Sequence, residues 1–82
     1  MEIKPKGISY QFADSDGSTQ SITVNLSGDE TPNYINGSLV IKASDLTDSE
    51  TLDDLNKKKI TVLGLKKMEA YVKAELTALG EA

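Results

Sequence analysis

The sequence predicts an α+β fold, a two-layer domain in which an antiparallel sheet is covered on one face by helices. Three observations carry this expectation. Two runs of alternating apolar and polar residues flank an Asp-Gly step, an Asn-Gly step lies between two further apolar runs, and apolar residues recur at steps of three and four in the last third. Alternation suits a strand, whose successive side chains point to opposite faces, and the wider spacing suits one face of a helix. The 82 residues form a single domain, 1–82, because a chain this short buries only about 60% of its unfolded surface and cannot fill two cores.

The first expected hairpin covers about residues 7–26. Ile8, Tyr10 and Phe12 alternate with Ser9 and Gln11, and Ile22, Val24 and Leu26 alternate with Ser21, Thr23 and Asn25. Between them, Asp16-Gly17 supplies the positive φ of a tight reversal. Residues 27–33 are small, polar or ring-locked and read as a loop. A second hairpin is expected over about residues 34–43, turning at Asn36-Gly37, since Asn-Gly between apolar runs is a strong short-range hairpin signal.

Thr47-Asp48-Ser49-Glu50 has the form of a capping box, so a short helix is expected over about residues 47–58. It would carry Asp48, Glu50, Asp53 and Asp54 near its start and Lys57, Lys58 and Lys59 near its end, where the helix dipole favours each sign. Ile60–Leu63 then reads as a short strand or buried connector. The C-terminal amphipathic helix is expected over about residues 65–79, with Leu65, Met68, Val72, Leu76 and Leu79 as one apolar stripe facing the sheet. If that stripe is buried, truncating Leu65, Met68, Val72 or Leu76 to Ala costs about 2–5 kcal/mol.

Composition narrows the chemistry. There is no His, Cys or Trp, and all nine basic residues are Lys, so the usual general base, thiolate ligand and bidentate guanidinium are missing. Hydroxyls are plentiful, but no Gly-x-Ser-x-Gly elbow, Ser-x-x-Lys pair or phosphate-cradling glycine loop accompanies them. The chain reads as a non-enzyme with no catalytic residues, cofactor or metal. Asp14-Ser-Asp-Gly has its glycine in the wrong place for a calcium loop and reads as a turn. The acids Asp48, Glu50, Asp53 and Asp54 read as dipole compensation, since nothing apolar surrounds them to shift a pKa.

Charge is uneven. Residues 1–56 hold three lysines against ten acids, a net of −7, and residues 57–82 hold six lysines against three acids, a net of +3. Lys57, Lys58, Lys59, Lys66, Lys67 and Lys73 are the one candidate surface for a polyanion or a partner. The absence of an apolar leader or long apolar run gives the expectation of no signal peptide, no membrane span and a cytoplasmic or virion location.

GISYQFADSDGSTQSITVNL resembles the N-terminal hairpin of several families of small uncharacterised proteins from Gram-positive bacteria and their prophages, and LKKMEAYVKAEL adds to the likeness. Those families have no assigned catalytic residues, and the resemblance implies a bacterial or phage origin. The functional expectation is a non-catalytic protein–protein interaction or structural module, with a small phage-particle or assembly component as its concrete form. Its partner would be another protein or a second copy, reached through open strand edges or the acid/base polarity, with no small-molecule substrate. The alternative is a small regulatory nucleic-acid binder that uses the lysine-bearing C-terminal third.

Overall fold

The computed structural model describes residues 1–47 and 49–80. Strands β1 (Lys4–Phe12), β2 (Thr19–Glu30) and β3 (Asn33–Lys42) form an antiparallel sheet in the order β1-β2-β3, and helix α1 (Lys57–Ala78) packs on β2 and β3. The α+β class is therefore as the pattern predicts. The alternating residues set the register: Ile8 lies opposite Val24 and Tyr10 opposite Ile22, while on the other side Leu39 meets Val24 and Ile41 meets Ile22. Cross-strand partners share a face, and this face holds Ile22, Val24, Leu26 and Ile41, all fully buried. The opposite face carries mainly Ser, Thr, Asn and Gln.

The β1–β2 turn is built as expected. Ala13 N–H donates to the Ser18 carbonyl at 2.8 Å, Gly17 takes φ 75°, and the Asp16 carboxylate accepts from the Ser18 amide and hydroxyl at 2.9 and 2.7 Å. Those hydrogen bonds, the hydroxyl's first, hold the Asp16 carboxyl below its ordinary pKa.

The second reversal falls elsewhere. Residues 27–30 continue β2, and the chain turns at Thr31-Pro32, joined by a cis peptide, with Glu30 opposite Asn33. Asn36-Gly37 lies inside β3, and the expected second hairpin is one strand of a three-strand meander. A proline has no amide to give a ladder, so the turn is where it fits. Turning there also stacks Leu39 and Ile41 on the apolar face of β2. Gly37 serves close approach rather than reversal, since a Cβ on it would stand 3.0 Å from the Met68 methyl of α1.

The expected helix over residues 47–58 does not form. The capping-box contacts are present, with the Thr47 amide and hydroxyl both donating to Glu50 at 3.3 and 3.0 Å, but they close a turn. A single 3₁₀ turn follows at Leu52–Asp54, and Asp48 lies outside the described residues. Leu52 is buried and Leu55 partly so, too little apolar anchorage for a separate short helix.

Helix α1 instead begins early. The Asn56 side chain accepts from the Lys59 amide at 2.8 Å and caps it, and Lys57-Lys58-Lys59 form its first turn. The dipole expectation is thereby reversed, because three cations stand at the positive end of a helix. Ile60–Leu63 is helical rather than strand or connector. Ile60 is fully buried and Gly64 is buried against β2, where a Cβ would stand 2.8 Å from Val24 Cγ1 and 3.3 Å from Leu26 Cδ1. The missing side chain lets the helix settle onto the sheet.

This docking rotates the expected stripe off the core. Taking 3.6 residues per turn, the stripe from Leu65 to Leu79 is centred about 100° around the helix from the Ile60–Gly64 line. Leu65 and Met68 still reach the core margin, but Val72 is 54%, Leu76 43% and Leu79 67% exposed. Every residue from 69 to 80 is exposed. The projecting end swells the chain to a radius of gyration of 14.5 Å, against about 12 Å for a compact domain of this length. Exposed in this way, Val72 and Leu76 do not carry the cost of about 2–5 kcal/mol expected of buried positions.

Candidate functional site

Two surfaces emerge, and the lysines belong mostly to neither. Lys59 Nζ lies 3.4 Å from Glu50, Lys67 Nζ 2.8 Å from Asp45 and Lys73 Nζ 3.8 Å from Glu69. Half of the six candidate lysines therefore already face a carboxylate. Lys59, Lys66 and Lys73 recur every seven residues, about 10.5 Å apart on one line of α1, with Lys67 on a different line. They do not converge on a common point.

The acidic residues disperse as well. Glu50 takes both Thr47 donors and Lys59, and these interactions, the Thr47 amide's first, hold its carboxyl below the ordinary value. Asp53 accepts from the Thr19 amide and hydroxyl, tying the 3₁₀ turn to the start of β2, and Asp54 accepts from the Thr51 hydroxyl at 2.7 Å. Among the described residues no three carboxylates gather as cation ligands. Glu50, Asp53 and Asp54 each fasten a piece of backbone or a hydroxyl.

The first surface is the outer edge of β3. Lys67 Nζ donates to the Val40 carbonyl at 2.7 Å, and Asp45 accepts both Lys67 and the Lys42 amide, each at 2.8 Å. The Lys42 amide foremost, then Lys67, holds the Asp45 carboxyl below its ordinary range. A charged pair thus occupies backbone groups that an incoming strand would need. Shallow depressions flank Lys67, lined in part by Leu63, Ala70 and Tyr71 on one side and Ser38 and Val40 on the other. Asp45 was not legible as a partner of Lys67, because 22 residues and two turns separate them; only its spacing of three from Lys42 hinted at a capping role.

The second surface is the outer half of α1. Val72, Leu76 and Leu79 continue one exposed line away from the core, while Tyr71, 64% exposed, falls on the continuation of the Ile60–Gly64 line. Among the described residues no helix is long and apolar enough to cross a membrane.

The chain matches no protein-family model, and no match to a curated protein or a solved structure reaches significance. The prophage likeness of the opening hairpin therefore rests on the quoted residues alone.

Proposed function

We propose that this chain is a non-catalytic protein–protein interaction module, a small component of a larger assembly, and that it engages its partner with the outer half of α1. One observation carries the reading: residues 69–80 are exposed throughout, yet they keep Val72, Leu76 and Leu79 in helical line. A helical half without tertiary packing gains little from its apolar residues until something covers them. The likeness to prophage proteins makes a phage-particle or prophage component the concrete form.

Site-specific photo-cross-linking in the native host tests it. A photoreactive residue at position 79 should form adducts with protein, and one at position 77, on the other side of the helix, should not. Equal labelling at both positions, or none at either, overturns the proposal. Adducts with nucleic acid that vanish as salt rises would replace it with the polyanion reading.

A further inference from the structure

The two edges of the sheet are not alike. Lys67 and Asp45 close β3 at Val40 and Lys42, whereas β1 forms the opposite edge, and among the described residues no hydrogen bond from a loop, helix or side chain reaches the backbone of Lys4–Phe12. A free edge is a row of amides and carbonyls that only another extended backbone can pair along its length. Helix α1 packs on β2 and β3, which leaves the same side of β1 uncovered. Ile8 and Tyr10 point to the core face with Val24 and Ile22 opposite them, yet Tyr10 is 46% exposed, and Phe12 at the end of the strand is 61% exposed.

The guards against pairing stand at one end of this edge. Pro5 has no amide to give, Lys4 and Lys6 bring charge, and the register with β2 breaks between Pro5 and Gly7. It breaks again between Gln11 and Phe12, and between the two breaks residues 7–11 pair without interruption. At about 3.3 Å per residue they make a straight window of about 17 Å. Beside that window Lys6 meets no carboxylate among the described residues: Glu2 and Asp29 border the same shallow depression, but Glu2 leans on Lys4.

We propose that residues 7–11 of β1 are a second contact surface, separate from the outer half of α1, and that they take an extended segment of a different protein, antiparallel to β1. Alternate apolar residues of that segment lie beside Ile8 and Tyr10, and an acid toward its C-terminal end lies beside Lys6. A second copy of this chain does not fit. Two β1 edges would bring Lys4 and Lys6 of both copies to one seam with no acid among them, and the β3 edge of a copy is taken where the clamp holds it.

The probe is the peptide Thr-Val-Thr-Val-Thr-Asp, acetylated and amidated at its ends, titrated to about 1 mM into the isotope-labelled full chain. Amide resonances of residues 7–11 should move and saturate, and those of Val40 and Lys42 should stay fixed. Methylating the peptide's amide nitrogens should abolish the change, since the ladder supplies the affinity. Moving the Asp to the first place, at unchanged composition, should weaken binding about two- to fivefold, and Lys6→Gln, an exposed change, should erase that difference. No movement in residues 7–11, binding that survives methylation, or binding of the Asp-first peptide that is equal or tighter overturns the proposal. Movement of the same amides with protein concentration alone makes a second copy the occupant and overturns it as well. Shifts confined to residues 69–80 overturn it too, and leave the interaction reading of α1 standing.

Discussion

The two halves of α1 share a sequence character but not a fate. The first half, residues 57–68, holds Ile60, Gly64 and Met68 against the sheet; the second, residues 69–78, holds Val72 and Leu76 in water. The second half has the more regular apolar spacing, yet the first is the one that packs. Burial was decided by which side of the helix could come closest to β2, and the residue that allows closest approach is a glycine, which hydrophobic periodicity does not register.

The largest expected effect tests that contrast directly. Ile60→Ala should cost about 2–5 kcal/mol by urea denaturation, as for a fully buried aliphatic side chain, while Leu76→Ala should stay within about 0.5 kcal/mol. Comparable losses at both sites would mean the outer half is packed after all. Next comes Gly64→Ala. In an exposed helix this change gains about 1 kcal/mol, but here the new methyl meets Val24 and Leu26, and a net loss of about 1–3 kcal/mol should follow. A gain would show that α1 rides higher on the sheet.

A smaller effect of opposite sign is expected at the helix start. Lys58→Glu replaces a cation at the positive end of α1 and should stabilise by about 0.3–1 kcal/mol at low ionic strength, fading as salt is added. Thermal melts at two salt concentrations read both parts. Smallest is the acid response of the β3 edge. The Asp45 pKa is lowered in the folded chain, so its contribution is whole above the ordinary value of 3.8 and is lost as pH falls through the lowered one. With both side chains 26% exposed, the bridge to Lys67 is worth at most about 1 kcal/mol. Asp45→Asn should flatten that part of the stability curve below pH 3.8, and an unchanged slope would count against the clamp.

How much of this was legible varies by element. The first hairpin could be read because Ile22, Val24 and Leu26 alternate and Asp16-Gly17 marks the reversal, both local facts. The class could be read because one helical segment follows the strands. The second turn could not, since Asn36-Gly37 carries a strong turn signal that is overridden by the pairing of Leu39 and Ile41 with β2. Asn56 was hidden as a cap because the lysines after it suited the end of an earlier helix. The stripe on the outer half of α1 was legible as a stripe, but what lies opposite it is a tertiary matter. Of the candidate surface, the lysines were visible and their carboxylate partners largely were not, because Lys67 meets Asp45 only after the chain has folded.

The clamp on β3 has a consequence for how copies of this chain can grow together. A sheet lengthens sideways by offering free carbonyls and amides to the next ribbon, and at Val40 and Lys42 that offer has already been taken up within the chain. Polymerisation by lateral ribbon addition is stopped at this end of the strand, so a fibre cannot seed there without first breaking a charged pair.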